Sequence, residues 1–192
     1  TNALVLNDAD SKLLLNSSTL GRASTSLASL GLDVDNNSTV SSLTVGHTTP
    51  VSVASVRTLS GAITVSAGSI KLGEAGTLAA TVSMSGGTLD ADESLTLSGA
   101  LTQSGNITMD VADNKILTYS GAALNLGANT LTLSGGGTLQ SEELDLNDED
   151  SKLLLNSITV DSVSTSAYSS GLDVEADSTV TSLSVANITP VA

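Results

Sequence analysis

Aliphatic residues recur at every second position along most of this chain, in short runs that polar breaks separate. Ile107 and Met109 precede a break at Asp110 to Asn114, and Leu117 and Tyr119 follow it. Leu124 and Leu126 precede Gly127-Ala128-Asn129, and Leu131 and Leu133 follow. Similar units surround Asp8–Ser11, Asp35–Asn37, Gly73–Gly76 and Asp90–Glu93, and two more surround Asp148 and Glu175. Period-two alternation on either side of a polar break predicts strand, turn, strand. No 3.6-residue stripe persists. The nearest, Leu20, Ala23, Leu27 and Leu30, has Val160, Val163, Ala167 and Ser170 in the same places later in the chain. A spacing that loses its leucines in the second occurrence predicts a loop or an outlying strand rather than a helix.

That second occurrence is part of a long tandem repeat. Leu6–Asn16 reads LNDADSKLLLN and Leu146–Asn156 reads LNDEDSKLLLN. At the constant offset these two runs define, 1–52 align without a gap on 141–192, and 30 of those 52 pairs are identical. GLDV recurs at Gly31 and Gly171, and TPV at Thr49 and Thr189. The chain thus reads as one 140-residue period, with 53–140 as its remainder, plus the start of a second. No basic-then-apolar leader opens it, the expectation for a mature form or a fragment.

A second mark, Ser-Gly, closes many post-turn strands: Ser60-Gly61, Ser85-Gly86, Ser98-Gly99, Ser120-Gly121 and Ser134-Gly135. Glycine permits the tight corners of a coiled chain. The uneven spacing of these marks predicts full coils of roughly 20–25 residues, with shorter units sharing a strand.

Composition narrows the fold. The chain has no Phe, Trp or Cys and only two tyrosines, Tyr119 and Tyr168. Stacked coils need only equal-sized Leu, Val and Ile rows inside, so the expected fold is all-β, a parallel β-helix (β-solenoid) in one continuous rod. Leu95, Leu97, Leu131, Leu133, Leu153 and Leu155 should point inward. The alternative is tandem β-sandwich modules, which usually centre on a buried aromatic. In a solenoid the 140-residue period should advance about 27–34 Å along the axis at ~4.8 Å per coil.

Runs such as GGTLDADESLTLSG, NITMDVADNKILTYSG and AALNLGANTLTLSGGGTLQ, within residues 60–157, resemble bacterial surface β-solenoids of the autotransporter-passenger and filamentous-haemagglutinin-like adhesin type. The resemblance implies a secreted or cell-surface rod with structural or adhesive use. It transfers no catalytic residues.

Charge and candidate chemistry add exclusions. A net charge of −14 with only six Lys and Arg argues against nucleic acid, and no apolar run approaches the ~20 residues of a membrane span. Most acidic residues fall in the predicted turns. Asp8 with Asp10, and Asp148 with Asp150, place carboxylates at alternate positions and are the candidate metal ligands, for calcium. Neither run completes a calcium-binding helix–loop–helix loop, and Asp and Asn also make solvated Asx-turns, the reading the sequence favours. His47 is the only histidine and its counterpart is Asn187, so it reads as a loop residue. Arg22 and Arg57 stand alone, without the clustered acid pairs or aromatics of a polysaccharide-cleaving groove. Asn16, Asn37, Asn106 and Asn187 begin N-x-S/T sequons at a frequency that Ser and Thr abundance explains.

Two functions follow as expectations. One is a non-catalytic structural or adhesive component of an extracellular filament, partnered by its own copies or by a surface or glycan ligand. The other is an ice- or surface-binding solenoid with an outward Thr face. Thr96, Thr118 and Thr132 recur after turns, whereas Lys12-Leu13-Leu14 and Lys152-Leu153-Leu154 place leucine where such a row should continue.

Overall fold

A computed structural model describes residues 3–187 and 190–192; the Thr189 landmark of the second TPV lies outside them. Among the described residues the regular structure is all strand, arranged as nine coils of a parallel β-solenoid. Each coil contributes one strand to a nine-stranded sheet, turns, and contributes one or two segments to a fourteen-stranded sheet. Coil 1 is Lys12–Leu15 then Thr19–Thr25; coil 2 is Gly31–Val34 then Ser38–Val45; coil 3 is Thr49–Val53 then Thr58–Val65. From coil 4 the second segment is broken in two: Ser69–Gly73 leads to Thr77–Leu78 and Thr81–Met84. Coil 5 runs Thr88–Ala91, Leu95–Leu97, Leu101–Gln103, and coil 6 runs Ile107–Val111, Ile116–Tyr119, Leu124–Asn125. Coil 7 runs Thr130–Ser134, Thr138–Ser141, Leu144–Leu146. Coil 8, Lys152–Asn156 with Thr159–Thr165, and coil 9, Gly171–Val174 with Thr179–Val185, return to the unbroken form.

Alternation explains which way each residue faces. In Ile107–Val111, Ile107, Met109 and Val111 are buried while Thr108 and Asp110 are not. Parallel pairing then stacks like on like. One inward row runs Ile70–Leu89–Met109–Leu133–Leu155, and another runs Leu59–Leu78–Leu97–Tyr119. The six leucines expected inside, Leu95 to Leu155, are all buried, and one aliphatic core runs through the rod. The single buried aromatic, Tyr119, sits at the break in coil 6, where its hydroxyl donates to the Ala122 carbonyl at 2.7 Å and accepts from the Leu101 amide at 3.2 Å.

Two expectations about local structure change. Residues 20–30 are not outlying: Thr19–Thr25 pairs on both sides within the fourteen-stranded sheet, and Leu27 and Leu30 are exposed beyond its end. No coils share a strand. The interval between successive partners varies little, from Leu13↔Leu32 at the short end to Ile107↔Leu131 at the long end. The Ser-Gly spacing is uneven because the mark serves different corners. Ser98-Gly99 and Ser120-Gly121 break the fourteen-stranded sheet, Ser85-Gly86 ends a coil, and Ser134-Gly135 ends a strand of the nine-stranded sheet.

Lys12 lies in coil 1 and Lys152 in coil 8, so the offset between the two copies equals seven coils. At ~4.8 Å per coil this is an advance of about 34 Å.

Candidate functional surface

The acidic turns are built alike in the two copies. Asp8 Oδ1 accepts the Asp10 amide at 3.0 Å, and Asp148 Oδ1 accepts the Asp150 amide at 3.0 Å. The Ser11 and Ser151 amides close each turn on the carbonyls of Asp8 and Asp148, both at 3.0 Å. These are Asx-turns, in which the side chain mimics a backbone acceptor. The structure brings Asp8 together with Asp10 and Asp148 with Asp150, but separates the two pairs by seven coils. Among the described residues no group of three or more Asp, Glu or His side chains is placed to hold a metal ion.

Not all the acids expected in turns lie there. Asp90 and Asp110 are strand residues, side by side on the outer face of the nine-stranded sheet next to Lys71. Lys71 Nζ lies 3.2 Å from both Asp90 and Asp92. Its pKa is raised by hydrogen bonds to Asp92 and Asp90. Burial pushes the Asp90 carboxyl up, and repulsion from Asp92 and Asp110 adds to this, outweighing the pull of Lys71. The other lysines also bridge neighbouring coils: Lys12–Asp33 at 2.7 Å and its repeat counterpart Lys152–Asp173 at 3.2 Å, with Lys115–Glu93 at 2.6 Å. Exposed pairs of this kind add little, because water and salt screen them and holding two long side chains together costs entropy. His47 is an exposed turn residue whose carbonyl accepts from the Thr49 hydroxyl at 2.9 Å.

The threonine pattern was only partly legible. Thr132 does not join Thr96 and Thr118: it belongs to the nine-stranded sheet, between Thr108 and Leu154. Leu14 and Leu154 are on that sheet too, so they interrupt nothing on the other. On the fourteen-stranded sheet, every coil carries a threonine within the first three residues of its segment, from Thr19 to Thr179. Thr58, Thr77, Thr96 and Thr118 are consecutive ladder partners, as are Thr138, Thr159 and Thr179. A shallow depression runs beside this row, lined by Val56, Gly76, Thr77, Thr96, Thr118 and Gln140. A flat sequence reading missed the row because two register slips, at Thr39↔Ser60 and Thr118↔Gln140, hide it.

No protein-family model, curated protein or solved structure matches the chain. No helix among the described residues is long and apolar enough to cross a membrane.

Proposed function

We propose that the chain is a non-catalytic structural or adhesive segment of an extracellular, surface-exposed rod made of tandem 140-residue periods. One observation carries this reading: the period corresponds to seven coils, so a further period continues both sheets and their inward rows. A quasi-one-dimensional stack gains length without needing a new core. The rhythm shared with bacterial surface adhesins supports placement outside the cell. Self-association is end to end, since a strand ladder pairs with the next one along the axis.

The test is a series of chains holding one, two and three complete periods, imaged by electron microscopy. Length should grow by about 34 Å per period at constant width. Thickening in place of lengthening would refute the rod.

A further inference from the structure

The outer face of the fourteen-stranded sheet across coils 2–6 is free of charge. Segments 38–45, 58–65, 77–84, 95–103 and 116–125 contain no Asp, Glu, Lys, Arg or His, although the chain holds 20 acidic and six basic residues. Charge lies instead on the nine-stranded sheet, in the turns, and on the fourteen-stranded sheet only outside these coils, at Arg22, Asp145 and Asp161.

In place of charge stand two hydroxyl ladders. One is Thr58–Thr77–Thr96–Thr118. The other is Thr44–Thr64–Ser83–Thr102, whose members are exposed. Small residues, among them Ala62, Ala79 and Ala100, fill the space between them. Thr118 is satisfied by Gln140 at 3.3 Å and Thr102 by Ser83 at 3.2 Å. The hydroxyls of Thr44, Thr58, Thr64, Thr77 and Thr96 have no hydrogen-bond partner among the described residues. They must bond to something outside the chain.

The spacing indicates what that is. Oxygens in a tetrahedral hydrogen-bonded net lie ~2.7–2.8 Å from a shared neighbour, and hence about 4.5 Å from each other. Parallel strands hold ladder partners ~4.8 Å apart, close to that second-neighbour distance over several coils. Threonine is stiff at χ1 because it branches at Cβ, so the backbone fixes where each hydroxyl points. Little freedom remains to be lost on binding. A charged side chain would impose a hydration shell of its own, and none stands here. We propose that this face binds ordered water in a lattice, the surface of an ice crystal, with Thr58, Thr77 and Thr96 as its contacts in the three middle coils. A second copy fits less well, because the face offers little large apolar area and both chains carry −14. The proposal does not depend on the rod being tandemly extended.

The experiment grows single ice crystals in solutions of the purified chain, of T77K/T96K, and of T108K/T132K. The last pair puts the same charges on the outer face of the nine-stranded sheet. The unmodified chain and T108K/T132K should facet the crystals and hold growth below the melting point, and T77K/T96K should lose both effects. If the lysine pair melts early, T77A/T96A, which adds neither charge nor bulk, takes its place. Unfaceted crystals with the unmodified chain would overturn the proposal. So would undiminished faceting by the face variants. A face variant that instead abolishes a dimer in sedimentation, or retention on a neutral polysaccharide, would assign the face to that occupant.

Discussion

Leu14 is the middle of three consecutive leucines, whereas Leu131 sits between Thr130 and Thr132 in an alternating run. Leu14 is 61% exposed and Leu131 is fully buried. Alternation told these apart once the strand was placed, which is why the inward leucines were legible from sequence. It could not tell which outward positions meet across coils, because that depends on coil length. Asp90 and Asp110 are a whole coil apart along the chain yet adjacent on the sheet. Their proximity has a consequence for pH. The Asp90 pKa is raised in the folded chain, so between the unfolded and folded values the native state binds more protons than the unfolded state. Stability therefore falls as pH rises through that window and is regained on acidification, opposite to an aspartate held by a strong ion pair. Asp90→Asn should remove this dependence. It should also raise stability at neutral pH by about 0.5 kcal/mol, the scale of surface charge effects, because Lys71 keeps Asp92 as a partner. Thermal melts of both proteins across the acid range check this; an unchanged pH slope would show that Asp90 is not the group responsible.

At the scale of the element, the repeat marks positions whose backbone cannot vary. GLDV opens the nine-stranded-sheet strand of coils 2 and 9, and its glycine has a left-handed φ in both, +79° at Gly31 and +105° at Gly171. A Cβ on Gly31 would lie 1.9 Å from the Pro50 carbonyl oxygen of the coil above. Two independent reasons thus fix one residue type. Gly31→Ala should cost about 1–3 kcal/mol, the range for a strained backbone position, before any displacement of Pro50 is added. Gly21 provides the contrast, with nothing within 4 Å of its added Cβ and no left-handed φ, so Gly21→Ala should be near neutral or mildly stabilising. Equal melting temperatures for the two variants would contradict this account. The acidic turns were also legible, since Asp-x-Asp is the sequence form of the Asx-turn that both copies adopt. The corners were not. Ser-Gly marks a bend in any of several directions, and only the pairing of neighbouring coils settles which.

For the whole molecule, the quantity that matters is the register between coils. Side chains alternate in facing, so an extra residue within a strand turns the downstream aliphatics outward unless a turn absorbs it. Coils 4 and 5 are related by a single offset along both parts of the fourteen-stranded sheet: Leu78 pairs with Leu97, and Val82 with Leu101. The same offset joins Ile70 to Leu89 on the other sheet. Excising residues 79–97 therefore removes one complete coil and leaves Leu78 running into Ser98, as Leu97 did. Above the junction, Asp110 then comes to stand beside Lys71 in the place of Asp90, so the outer ion pair is rebuilt as well. Excising 79–98, one residue more, shifts every later residue of that segment by one and sends Leu101 outward. The shorter deletion should retain the strand spectrum and a cooperative melt, with a rod shorter by ~4.8 Å. The longer deletion should lose cooperative melting and aggregate, because it exposes an inward row on a chain that has no aromatic cluster to collapse around. Circular dichroism and light scattering on the pair decide the matter. Equal behaviour of the two deletions would mean that the chain finds its register by slippage at the turns, and that the inward rows do not set it.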